Sequence, residues 1–218
     1  MRSFKIRSAV AVTASLALLL ICGCAPKMIG EEAAMEAGLS LLRQAFGVTE
    51  RKASIEYFER AGSCVVDGKE ARGGSEAPIR IYIVTIDSEV AGEDLYYAEV
   101  DAKTGVAYYA SKNERLLTPM TDEQQKQAEE LAAAQNREEA QDLVQGEAYE
   151  TEVCDQLVCR FQKEIALISP LEGCCVRQKR LSERACIGYF VTFADGAMYR
   201  VILSWPTLEL EAVHALGM

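Results

Sequence analysis

Apolar residues recur along this chain in two rhythms, and their order predicts the architecture. From Glu31 to Phe46, Met35, Leu39, Leu42 and Phe46 fall at i, i+4, i+7 and i+11, one stripe of an amphipathic helix with Gly47 as its stop. Alternation with a period of two follows. Ser54–Arg60 places Ile55 and Tyr57 on one face, and Pro78–Asp87 is dense in Ile, Val, Thr and Tyr, which predicts strands. Between them the polar, glycine-rich stretch Asp67–Ala77 reads as a loop. Leu95–Val100 and Val106–Ser111 flank Asp101-Ala102-Lys103-Thr104-Gly105, a hairpin loop with glycine at its positive-φ position.

The same order then returns. Thr121 with Gln124 makes a capping box for a helix over Asp122–Gln135, whose one large apolar residue, Leu131, predicts a solvated connector. A second amphipathic helix is expected over Glu147–Ile168, with Cys154, Leu157, Val158, Phe161, Ile165 and Ile168 as its stripe. Strands are expected at Cys174–Arg180, Ala185–Phe193, Ala197–Trp205 and Leu208–Ala215, with Asp195-Gly196 as a hairpin signal. The fold class is therefore α+β: two helix-then-antiparallel-sheet units, residues 30–117 and 147–218, joined by a polar connector over residues 118–146. Tyr97, Asp101, Gly105 and Tyr108 occupy places comparable to Tyr189, Asp195, Gly196 and Tyr199. An internal duplication and two unrelated α+β units both fit that pattern.

The first 30 residues carry a different message. Arg2, Lys5 and Arg7 precede Ala9–Ile21, a run of 13 residues without charge, right for a signal-peptide core and too short to span a bilayer. Ile21-Cys22-Gly23-Cys24 closes the run in the pattern of a bacterial lipoprotein box, with cleavage between Gly23 and Cys24 and lipidation at Cys24. Cys22 follows three bulky residues and fits the pattern less well. The expectation is a signal peptide over residues 1–23, then a short tether over residues 24–29. Two acyl chains of the palmitate type would hold the mature chain to a membrane, facing outside the cytoplasm.

Charge narrows the partners. Of 23 Lys and Arg, three lie before Cys24, whereas none of the 33 Asp and Glu do, so the mature part carries a formal charge of −13. Such a surface repels nucleic acid and anionic headgroups, leaving the lipid as the membrane contact and excluding a nucleic-acid role. Six cysteines remain after Cys24: Cys64, Cys154, Cys159, Cys174, Cys175 and Cys186. An even number in an exported chain points to disulfides, while free thiols suit an oxygen-poor habitat. If a helix–sheet bridge forms, Cys154 to Cys174, Cys175 or Cys186 is the expected pairing. Cys159 lies about 140° around the helix from Cys154 and would point elsewhere. No Cys-x-x-Cys spacing supports a metal site or a dithiol, and no cofactor motif appears. His214 is the sole histidine, and a Cys–His catalytic pair would have to use it in the terminal strand, a poor place for a rigid base.

The first half resembles the PepSY domain, a module of secreted-peptidase propeptides. The features that carry the resemblance are the opening helix with Glu31-Glu32-Ala33, the strand Ile79-Arg-Ile-Tyr-Ile-Val, and the hairpin Tyr97-Ala-Glu-Val-Asp-Ala-Lys-Thr-Gly105. It covers residues 30–112. The resemblance implies a small non-catalytic α+β module that contacts a secreted or envelope protein, a peptidase among the candidates. A structural or accessory role in an envelope assembly is the alternative class, and a Cys-dependent enzyme the third.

A contact surface can also be placed. If Val100 pairs with Val106, Tyr97 lies opposite Tyr109 and Glu99 opposite Ala107, while Tyr96, Ala98, Val100, Val106, Tyr108 and Ala110 face the core. Tyr97 and Tyr109 would then stand together on the outer face, as amphipathic aromatics enriched in recognition sites do.

Overall fold

The structure, a computed structural model, describes residues 28–49, 52–60, 64–66, 69–71, 78–87, 94–113, 117–134, 137–144, 147–170 and 185–217. The signal segment, Cys24, Cys174 and Cys175, and the strand expected at Cys174–Arg180 lie outside the described residues. Helix α1 (Glu31–Phe46) precedes β1 (Ala53–Arg60), β2 (Cys64–Val66), β3 (Lys69–Ala71), β4 (Ile79–Asp87), β5 (Asp94–Asp101) and β6 (Ala107–Lys112). Helices α2 (Asp122–Ala133), α3 (Arg137–Val144) and α4 (Glu147–Phe161) follow, then β7 (Ile165–Pro170), β8 (Ala185–Phe193), β9 (Met198–Trp205) and β10 (Leu210–Leu216). The stretch expected as a loop after β1 holds part of a two-stranded hairpin, β2 with β3.

Eight strands make one antiparallel sheet in the order β1-β4-β5-β6-β10-β9-β8-β7. Each half is a helix followed by a four-stranded meander: α1 before β1, β4, β5 and β6, and α4 before β7, β8, β9 and β10. The meanders meet at β6–β10 in a short seam, where Ser111, Ala110 and Tyr109 pair with Ala212, Val213 and His214.

One core serves both halves. The register carries a row of inward side chains across the sheet, Ile55, Val84, Ala98, Ala110, Val213, Val201 and Tyr189. All four helices pack into the cluster that includes this row. Helix α1 covers the first meander, with Ala34, Gly38, Leu41, Leu42 and Ala45 buried. That stripe is rotated from the expected one, since Met35, Leu39 and Phe46 are only partly buried. The cause is close approach: a Cβ on Gly38 would stand 2.7 Å from Val84 Cγ2, so small residues line the contact and large ones flank it. Glu31 and Glu32 suit the helix N-terminus, and Gly47, at φ 66°, ends it with its N–H bonded to the Arg43 carbonyl at 2.8 Å.

Two expectations about the helices are corrected. The expected connector α2 keeps its capping box, with Gln124 N–H bonded to Thr121 Oγ1 at 3.3 Å and Thr121 N–H to Gln124 Oε1 at 3.0 Å. It nevertheless buries Ala128 and Leu131 in the core and packs on β8 and β9. Helix α4 stops at Phe161, short of Ile168. Gln162 takes φ 52° and bonds its N–H to the Val158 carbonyl at 2.8 Å, after which Ile165 and Ile168 continue as β7. The buried stripe of α4 is Val153, Leu157 and Phe161, with Val158 exposed and Cys154 half-buried. Arg160 Nη1 donates to the Ala45 carbonyl at 2.8 Å, fixing α4 beside the C-terminal turn of α1.

Candidate functional site

The outward face of the sheet, turned away from the helices, carries a polar and aromatic row. Adjacent strands align Glu99 with Tyr109, Tyr109 with His214, and His214 with Arg200. The seam therefore lies in the middle of the row.

The β5–β6 hairpin builds the first part. Asp101 Oδ1 accepts from Lys103 N–H at 3.0 Å, Thr104 N–H at 2.6 Å and Thr104 Oγ1 at 2.8 Å, while Gly105 takes φ 77°. Burial pushes the Asp101 carboxyl up, but the bonds donated by Thr104 and Lys103 outweigh it and hold the group below the ordinary range. The motif behind the family resemblance is thus a turn whose physical content is an aspartate cap and a left-handed glycine.

The register of this hairpin departs from the expected one. Val100 pairs with Ala107, Ala98 with Ala110 and Tyr97 with Ser111, with an irregularity between Glu99 and Val100. One extra residue on β6 is a bulge, and it turns Tyr108 outward with Tyr109. Val106, expected in the core, is exposed, and Ala107 packs inward instead. Tyr97 and Tyr109 are therefore diagonal rather than opposite, yet they share the outer face with ring centroids 6.0 Å apart.

The bulge assembles a group the sequence pattern did not foretell. Tyr97 donates its hydroxyl to Glu99 Oε1 at 2.7 Å, and Tyr108 donates to Glu99 Oε2. The His214 ring stands 6.0 Å from that of Tyr108 and 6.2 Å from that of Tyr109. All five side chains are half-buried. Arg200 is their neighbour across β9–β10, and its Nε, though buried, finds no hydrogen-bond partner among the described residues. The bulge in β6 and the distant strand β10 both had to be known to bring these residues together.

The cysteines do not gather here. Cys154, Cys159 and Cys186 form no disulfide among the described residues. The Cys154–Cys186 bridge is not made because the sheet lies between them: Cys154 sits on α4, on the helix-covered side, whereas Cys186 alternates with the inward Ala185 and Ile187. Cys186 instead donates its thiol to Glu211 Oε2 at 3.1 Å, both residues being buried. Burial pushes the Cys154 thiol up, and Glu150 and Asp155 add to it. Cys186 and His214 are two strands and four residues apart, roughly 16 Å by sheet geometry, too far for a nucleophile–base pair. Among the described residues no cluster of His, Cys, Asp and Glu could hold a metal ion.

No protein-family model matches the chain, and no curated protein matches it. Among solved structures, the Bacillus megaterium YpeB C-terminal domain is similar at 10% identity, over 88% of this chain and 100% of that one, with a TM-score of 0.26. The class of protein is set by its own architecture, an α+β protein with one eight-stranded antiparallel sheet and helices on one side.

Proposed function

We propose that this protein is a lipid-anchored, non-catalytic binding module that works outside the cytoplasm and holds a secreted or envelope protein, a peptidase being the leading candidate, against its open sheet face. One observation carries the reading: Tyr97, Glu99, Tyr108, Tyr109 and His214 form a half-exposed aromatic and polar group on the sheet face away from the helices. Such a patch offers rigid apolar area with polar tips, the composition enriched at protein interfaces. The lipobox at Ile21–Cys24 supports anchoring, and the resemblance of residues 30–112 to PepSY modules supports a regulatory role toward peptidases. The matching helix-then-meander order of the halves supports reading them as diverged copies.

Cross-linking in intact cells followed by purification of the full chain tests this. A protease captured by the native chain and lost from Tyr97→Ala and Tyr109→Ala, with both variants still folded by circular dichroism at the assay temperature, supports the reading. Capture of a structural envelope protein instead favours the accessory role. Capture unaffected by either substitution removes the face from the argument.

A further inference from the structure

The end of the sheet where the tether attaches is built differently from the rest of the surface. Ile29 donates its N–H to the Ala102 carbonyl at 2.9 Å, and its own carbonyl accepts from the Tyr82 hydroxyl at 3.0 Å. The N-terminal segment is therefore pinned to the β5–β6 hairpin. Antiparallel pairing places the β8–β9 turn at that same end, since Leu216 pairs with Met198 on β9 and His214 with Tyr109 on β6.

Exposed apolar side chains collect there. Met28 precedes the pinned residue, Val106 leads into β6, Met198 opens β9, Ile79 opens β4, and Phe58 pairs with the nearby Ile81. Three of the carboxylates at this end are engaged with their neighbours, while Glu31, Glu32 and Glu164 are exposed there. Asp195 pairs with Lys163 at 2.7 Å, Glu59 with Arg80 at 3.2 Å, and Asp101 is turned into its own loop. In a chain whose mature part carries −13, this end offers five exposed apolar side chains beside the point where the tether is pinned.

We propose that this sheet end is the surface on which the protein rests against the lipid bilayer, an inference that depends on the anchoring at Cys24 set out above. From Cys24 to Ile29 is five peptide steps, a reach of at most about 18 Å even when fully extended. The hairpin end is thus the part of the domain that the anchor holds at the headgroups. Met28, Val106 and Met198 enter the interfacial layer, where apolar side chains are favoured. The strands then stand along the membrane normal. The Tyr97–Glu99–His214 face looks sideways, parallel to the membrane, open to another envelope protein in the same layer.

The test uses the full chain, purified from membranes with its native N-terminus and reconstituted in phosphatidylcholine vesicles containing doxyl-labelled lipid. Val106→Trp and Met198→Trp probe the proposed contact, and Asp87→Trp probes the far end of β4, with Trp205 as a constant background. Quenching at residues 106 and 198 several-fold stronger than at 87 is the expected result. Equal quenching at all three positions, or stronger quenching at 87, overturns the orientation. The unsubstituted chain gives a second measurement: vesicles should slow amide exchange at residues 103–106 and 195–198 relative to detergent, and unchanged exchange overturns the contact. The intact mass of the same sample separates the two claims. An acylated Cys24 with no quenching difference sinks the orientation alone, whereas an unacylated mature N-terminus sinks the anchoring and the orientation with it.

Discussion

Tyr109 and His214 pair directly across the β6–β10 seam with ring centroids 6.2 Å apart, so one cross-strand contact ties the two halves of the sheet at the centre of the polar face. A cross-strand pair of this kind contributes some 0.2–1 kcal/mol. Tyr109→Ala and His214→Ala, alone and together, should show a coupling energy in that range in urea unfolding. Additive losses would mean the rings do not support each other.

Glu99 holds two tyrosine hydroxyls at once. Glu99→Gln replaces one acceptor oxygen by an amide donor, so one hydroxyl must turn from donating to accepting and its bond weakens. Stability should fall by about 1–2 kcal/mol. Tyr108→Phe should cost less in the Glu99→Gln background than in the native chain, read from the same unfolding midpoints.

The Asp101 cap links stability to pH. Burial raises this carboxyl, and the bonds from Thr104 and Lys103 more than offset that, leaving it below its ordinary value. A depressed folded-state value means the ionised form stabilises the fold above the unfolded pKa of about 3.9. That contribution is lost as pH falls through the folded value. Asp101→Asn should therefore lower stability at pH 7 and flatten the acid side of the stability profile below about pH 4. A profile as steep as that of the native chain would contradict the cap.

The thiols should react in order of access. Cys159 is exposed, Cys154 is half-buried with its thiol pushed up by burial and by Glu150 and Asp155, and Cys186 is 2% exposed. Timed alkylation of the folded chain, mapped by mass spectrometry, should label Cys159 first, Cys154 next and Cys186 last. Cys186 labelling as fast as Cys159 would show that its end of the sheet opens readily.

Gly38 is where a helix-favouring change should do harm. Ala is better than Gly in a helix by about 1 kcal/mol, but a Cβ here would meet Val84 Cγ2 at 2.7 Å. Gly38→Ala should lower stability by about 1 kcal/mol. Adding Val84→Ala should give a double variant more stable than the two single losses predict, because the clash is gone.

Turns and caps were legible where local chemistry decided them, whereas the short β2–β3 hairpin was not. Asp101 and Gly105, Asp195 and Gly196, and Thr121 with Gln124 each act through neighbours a few residues away, and each turn or cap stands where the pattern puts it. What could not be read depended on distant partners. The stripe of α1 follows Gly38 and Val84, 46 positions apart, not the large residues that periodicity counts. Ile165 and Ile168 continue the helical spacing of α4 and still become a strand, because β8 offers them backbone partners. The outer-face group needed the Tyr108 bulge and the seam, and neither leaves a local mark beyond adjacent tyrosines.

The short β6–β10 seam joins residues about a hundred positions apart, whereas every other ladder of the large sheet links strands much closer in sequence. Loop closure makes the seam the costliest pairing to form, so each meander is expected to assemble from its own turns before the seam closes. Until it does, β6 and β10 are bare edges able to pair with strands of other chains. Two copies caught at that stage can exchange halves, β6 of one meeting β10 of the other, and yield an interlocked dimer with the same ladders as the monomer.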